Sequence, residues 1–189
     1  MKKRIILSAI LGMFLSSCSH SSRCKHCEMK GEHQDKTAIE KAKAVAVLVP
    51  AKGQKVSGTI SFLQDGDTTK VTGEIKGLKK NSKHGFHIHE FGDCSAADFT
   101  SAGGHFNPEG HPHAGIQDPQ RHEGDLGNLQ TDATGTAKID LSVKGMSVQN
   151  GIAGRGLIVH EKEDDQKTQP TGNAGGRLAC AVIGSSMAR

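Results

Sequence analysis

The chain has 189 residues, room for one domain of ordinary size and one hydrophobic core, and too few for a second full domain. Apolar residues other than glycine make up 34%, and 24 glycines bring the share to the usual globular range, which excludes a disordered polypeptide. Tryptophan and tyrosine are absent and phenylalanine occurs six times, so there are no stacking platforms for bases; Lys2, Lys3 and Arg4 supply three charges of the formal +4, so no basic patch is left to bind nucleic acid. The unusual counts are 11 histidines and 5 cysteines.

Lys2, Lys3 and Arg4 precede a mostly apolar run from Ile5 to Leu15. A positive start and a short apolar stretch make a secretory signal, and the run is too short to span a bilayer. It ends in Leu15-Ser16-Ser17-Cys18, which resembles the lipobox of bacterial lipoproteins. On that reading residues 1–17 are removed and Cys18 carries the lipid. The protein is then exported to the periplasmic or cell-surface side and anchored to a bacterial membrane, where disulfides can form.

Residues 18–43 are polar and charged and read as a flexible tether. Within it Cys24, His26, Cys27, Met29 and His33 assemble thiols, a thioether and imidazoles, a soft set suited to Cu(I) or zinc and expected to serve copper supply. A local disulfide between Cys24 and Cys27 is the alternative in an oxidising compartment.

From residue 44 to 189 the pattern is that of one β domain. Val45, Val47 and Val49 alternate, followed by Val56, Ile60 and Phe62, then Val71 and Ile75, with turns at Lys52-Gly53, Asp65-Gly66-Asp67 and Gly77. Further strands are expected at 85–90, 127–131, 136–143, 156–160 and 178–183, and no stretch shows a sustained helical period. The expected fold is all-β: an eight-stranded antiparallel sandwich or flattened barrel. Two connections, about 91–123 and 161–177, are too long for hairpins, and long loops in a compact domain are usually functional.

The chemistry gathers on these loops. His87 and His89, two apart on a strand, share one face, while Phe86 and Ile88 turn into the core. The first long loop adds His105, His111, His113, His122 and Asp125, and a later strand ends in His160. Imidazoles with one carboxylate suit copper and zinc better than calcium or magnesium.

Five segments carry a resemblance: 85–93 (GFHIHEFGD), 100–108 (TSAGGHFNP), 121–128 (RHEGDLGN), 159–162 (VHEK) and 171–180 (TGNAGGRLAC). In this order they resemble the copper/zinc superoxide dismutase family, over about Ala44 to Gly184. The resemblance implies a Greek-key barrel, with copper held by His87, His89, His105 and His160. It implies zinc held by His105, His113, His122 and Asp125, with His113 rather than His111 matching the family spacing. It further implies that Asp164 hydrogen-bonds a ligand of each metal, that Arg177 attracts and orients a small anion beside copper, and that Cys180 pairs with Cys94. The usual family position of that partner is several residues further on, near Asp98 or Phe99.

The implied reaction turns two superoxide ions and two protons into dioxygen and hydrogen peroxide by alternate reduction and reoxidation of copper, with His105 taking part. The loop from His160 to Arg177 is shorter than in the eukaryotic type and has Pro170 where a steering lysine is common. Phe91-Gly92-Asp93, Gly154 and Val182-Ile183-Gly184 resemble the contacts of a homodimer. A copper carrier of this fold should lack a copper ligand or the arginine, and this chain has all of them.

Overall fold

A computed structural model describes residues 42–186. The expected signal 1–17, the lipidation site Cys18 and the tether cluster Cys24, His26, Cys27, Met29 and His33 lie outside the described residues.

Ten strand segments form two antiparallel sheets. In chain order they are β1 (Lys43–Val47), β2 (Val49–Pro50), β3 (Ser57–Asp65), β4 (Thr68–Lys76), β5 (Lys83–His89), β6 (Asp125–Gln130), β7 (Ala137–Lys144), β8 (Gly156–His160), β9 (Arg177–Val182) and β10 (Gly184–Ser186). One sheet has the order β10-β1-β3-β4-β7 and the other β2-β9-β8-β5-β6. The chain passes between sheets at β1 to β2, β2 to β3, β4 to β5, β6 to β7, β7 to β8 and β9 to β10, and β8 pairs with β5 rather than with β7, a Greek-key return. Among the described residues the helical structure is one 3₁₀ turn at Thr100–Ala102 and one π turn at Val148–Ile152.

Ten segments stand where eight strands are expected because two strands turn a corner. The first breaks at buried Leu48, so β1 pairs with β10 in one sheet and β2 with β9 in the other. The last breaks at buried Ile183 in the same way, and the two broken strands close that side of the barrel. The valine set also faces the opposite way from a core stripe. Ala44 and Ala46 are fully buried, whereas Val47 is 62% and Val49 56% exposed. Register explains it: Ala44 lies opposite Phe62 and Ala46 opposite Ile60, so small side chains stand beside large ones on the inner face.

Phe62, Ile60, Ile75, Phe86 and Ile88 are buried between the sheets. β5 alternates as expected, but all its residues from His84 to His89 are buried. All five residues of β8 are buried as well. Inward residues are covered by the facing sheet, and the two long connections cover part of the outer face, over His87, Ile158 and Cys180. The first connection is joined to β9 by a Cys94–Cys180 disulfide with the Cα atoms 5.9 Å apart. Phe99, Ala102, Ile158 and Cys180 make a small second core beneath it.

Candidate metal centre

Two β-bulges aim the polar residues. Between β5 and β6 the register shifts so that Gly85 faces Asn128 and His87 faces Asp125. Gly127 in the bulge has φ +79, a conformation that costs glycine little. Between β8 and β9, Val159 faces Ala179 while His160 faces Arg177, which leaves Leu178 as the extra residue. His105 forms an isolated bridge with His89, which brings the first loop back to the edge of β5.

These devices bring His87, His89, His105, His113, His122, Asp125 and His160 together, all buried. One donor atom each from His87, His89, His105 and His160 lies within 4.8 Å of the others, and the same holds for His105, His113, His122 and Asp125. His105 belongs to both groups. Its Nδ1 lies 2.8 Å from Asp125 Oδ1 and 3.4 Å from His122 Nδ1, while its Nε2 is buried with no protein partner. His111 stands apart, its Nδ1 3.3 Å from the Arg121 carbonyl and its Nε2 3.5 Å from exposed Glu109.

The other side of four of these rings is tied down. Asp164 is buried, with Oδ2 2.9 Å from His87 Nε2 and Oδ1 2.9 Å from His113 Nε2. Asp164 is held in turn by Asn128, whose amide donates to the Asp164 carbonyl and whose oxygen accepts from the Asp164 N–H, both at 2.8 Å. His89 Nδ1 lies 2.9 Å from the Gly103 carbonyl and His160 Nδ1 3.2 Å from that of Gly175. Asp125 Oδ2 accepts from the N–H groups of His122 and Ala114.

The inward atoms are left without such partners. His87 Nδ1 and His105 Nε2 are buried and unpaired, His89 Nε2 faces His160 Nε2 at 3.3 Å, and His113 Nδ1 is 3.0 Å from Asp125 Oδ1 without hydrogen-bond geometry. Buried polar atoms are normally satisfied, so this arrangement calls for cations. The donor chemistry fits the two metals: four nitrogens for copper, and three nitrogens with one carboxylate oxygen for a closed four-ligand zinc site.

Sequence reasoning missed His84, which is buried with Nδ1 2.9 Å from the His160 carbonyl and Nε2 unpaired. Its even-numbered place with Phe86 and Ile88 was the available signal. It also missed the carbonyls of Gly103 and Gly175, because a backbone acceptor has no signature in residue type.

The groups titrate as their surroundings dictate. Burial lowers His87 to about 4 despite Asp164, and lowers His160 to about 3, helped by the charge of His87. Burial and then the charge of His105 hold His89 well below the imidazole range. Burial would lower His113 too, but Asp125 and Asp164 raise it to about 9. Burial would raise Asp125 and Asp164, yet His105 with His113 and His113 with His87, respectively, keep both below the usual carboxylate range. Arg177 is half-buried; it donates from Nη1 to the Phe99 carbonyl and from Nη2 to the Gly103 carbonyl at 2.6 Å, and its charge reaches His89 and His160.

An all-β protein with two histidine-rich clusters sharing one imidazole is a two-metal protein of the β-barrel class. Residues 56–183 match the family model for copper/zinc superoxide dismutase. The chain is 43% identical over 162 residues to the extracellular Cu-Zn superoxide dismutase of Brugia pahangi, covering 80% of each protein. It is 46% identical to the Cu-Zn superoxide dismutase of Cryptococcus neoformans over 76% of this chain and 98% of that one. For the Yarrowia lipolytica enzyme the values are 47%, 75% and 97%. The chain belongs to the copper/zinc superoxide dismutase family, oxidoreductases that use copper and zinc to convert superoxide to dioxygen and hydrogen peroxide.

The metal-free protein should lose stability as pH falls. His87, His89 and His160 stay neutral in the fold but take up protons when unfolded, so the unfolded state binds more protons below about 6.5. Stability should fall from there through about 4 and then about 3 as each lowered value is reached. His113 works the other way: its contribution is complete below about 6.5 and is lost as pH rises through 9. Thermal unfolding of the metal-free protein across pH 3–10 tests both slopes. A flat curve between pH 6.5 and 4 would contradict the assignment of neutral, buried imidazoles.

Proposed function

We propose that the chain carries out superoxide dismutation with copper on His87, His89, His105 and His160, and zinc on His105, His113, His122 and Asp125. The observation that carries this division is the shared His105, one ring nitrogen lying among the zinc-side donors and the other left buried and unpaired. When bound, copper supplies a one-electron couple and zinc a fixed positive charge. His105 Nε2 is the atom at which a proton is held between the half-reactions and passed on to the peroxide product. Asp164 orients His87 and His113 together and so ties one ligand of each ion to a single carboxylate. Arg177 draws a small anion to the mouth of the His87–His160 cluster, its guanidinium permanently charged and fixed by two carbonyls.

His160→Ala should remove copper and activity and leave zinc bound, whereas Asp125→Ala should mainly cost zinc. Metal analysis of the purified variants beside a superoxide assay decides, and equal loss of both metals in each variant would refute the division.

Export with a lipid anchor on Cys18 completes the reading. Its support is the charged start, the short apolar run and Leu15-Ser16-Ser17-Cys18, together with a disulfide in the domain and similarity to a relative named as extracellular. The mature protein should carry acyl chains and sediment with bacterial membranes, and Cys18→Ala should release it from them. Wild-type protein recovered unacylated and cut elsewhere would end this part of the proposal.

A homodimer is proposed through the outer face bearing Phe91, Val182 and Val49, which are 50%, 47% and 56% exposed. Val49 lies opposite Cys180, two residues from Val182 on the same face. Ile183, grouped with Phe91 and Val182 by resemblance, is fully buried within the subunit and contributes to the core instead. Sedimentation should give twice the subunit mass for the wild type and the subunit mass for Val182→Lys. A monomeric wild type at micromolar concentration would refute it.

A further inference from the structure

We propose that Phe99 is the positioning residue for the Arg177 guanidinium, holding it through its own carbonyl by means of a buried ring. The inference rests on Arg177 having the role given above. Both acceptors of Arg177 belong to one short segment: the Phe99 and Gly103 carbonyls flank the 3₁₀ turn Thr100–Ala102. Gly103 also meets His89 Nδ1 through the same carbonyl, so that acceptor is held from the cluster side and the Phe99 carbonyl is the one left to the turn.

Something must hold that turn in place. The disulfide at Cys94 holds the start of the segment, and Ser101 ties the turn to it by donating to the Asp93 carbonyl and accepting from the Ala96 N–H. At the Phe99 carbonyl itself the buried ring is the anchor. Phe99 is 4% exposed and packs in a cluster with Ala102, Ile158 and Cys180. Ile158 lies opposite His87 on one side and opposite Cys180 on the other, so the ring is seated on the outer face of the sheet that presents His87. The backbone of Phe99 has φ 61 and ψ 18, the left-handed region that bulky residues avoid unless their surroundings over-determine it. A large side chain accepted in that conformation and buried indicates that its packing sets the direction of the carbonyl. Hydrogen bonds within the turn complete the seat: Phe99 N–H donates to the Ala96 carbonyl at 2.9 Å, and Ala102 N–H donates to the Phe99 carbonyl at 3.1 Å.

The consequence is specific. Shrinking the ring should free the carbonyl, and with it the guanidinium, while all seven metal-ligating residues remain in place. Phenylglyoxal, which condenses with accessible guanidinium groups, gives a readout independent of turnover. In Phe99→Ala, Arg177 should label about threefold faster than in the wild type, with Arg121 unchanged as internal reference. At unchanged copper and zinc content the superoxide rate should fall about fivefold, and Phe99→Leu, which keeps a smaller buried side chain, should lose about twofold. In the Arg177→Ala background neither substitution should reduce the rate further, because the group it acts through is gone.

If Phe99→Ala does not fold, Phe99→Leu carries the same comparison. Unchanged labelling of Arg177 in both variants, or an equal loss of rate with and without Arg177, would overturn the proposal. Full activity of Arg177→Ala alone would instead overturn the role of Arg177, and the labelling would still decide whether Phe99 positions it.

Discussion

Asp164 sets one carboxylate oxygen against His87 on a strand and the other against His113 in the first long loop, and the rest of the site depends on that bridge. A carboxylate so deeply buried would be costly if unpaired; two imidazoles and the backbone N–H of Gln166, which donates to Oδ1, make it tolerable. Because Asp164 lies in the second long loop, the same bridge couples three pieces of chain distant in sequence. It sets the positions of the two metal clusters relative to each other.

The polarity of the interior then runs in one direction. Outward ring nitrogens reach carboxylates or carbonyls, and inward ones point at one another or at nothing. In an apolar setting such an arrangement opposes folding until cations are supplied, so metal binding and stability are linked in this protein. The depressed values of His87, His89 and His160 express the same fact as proton chemistry: the fold prefers these rings neutral, the form in which imidazole binds a metal.

The two long loops share their outer surface of the sheet with a smaller apolar cluster under the disulfide. Ile158 and Cys180 stand beside His87 across the strands, so the apolar seat of the first loop and the polar centre rest on one rigid platform. Rigid strands carry some of the clustered histidines, loops carry the rest, and the carbonyls flanking the turn Thr100–Ala102 hold the Arg177 guanidinium.

Much of this was legible in the residues. Alternation with glycine-rich turns is enough for an antiparallel sandwich or flattened barrel, since period-two burial leaves few other solutions. His87 and His89 share a face by that periodicity, and the spacing of His105, His113, His122 and Asp125 marks a ligand set by resemblance. Only the tertiary structure decided the matters that depend on register and backbone direction. The valines of β1 face outward because Ala44 and Ala46 must fit beside Phe62 and Ile60, and a strand read alone does not reveal which of its faces meets a bulky neighbour. Leu48 and Ile183 break strands because the barrel closes there, a demand of two sheets rather than of either segment. The bulges at Gly127 and Leu178, and the carbonyls of Phe99, Gly103 and Gly175, place Asp125, Arg177, His89 and His160. Residue type specifies which side chains can bind a metal, but backbone carbonyls are the same in every residue, so their aim exists only once the chain has folded.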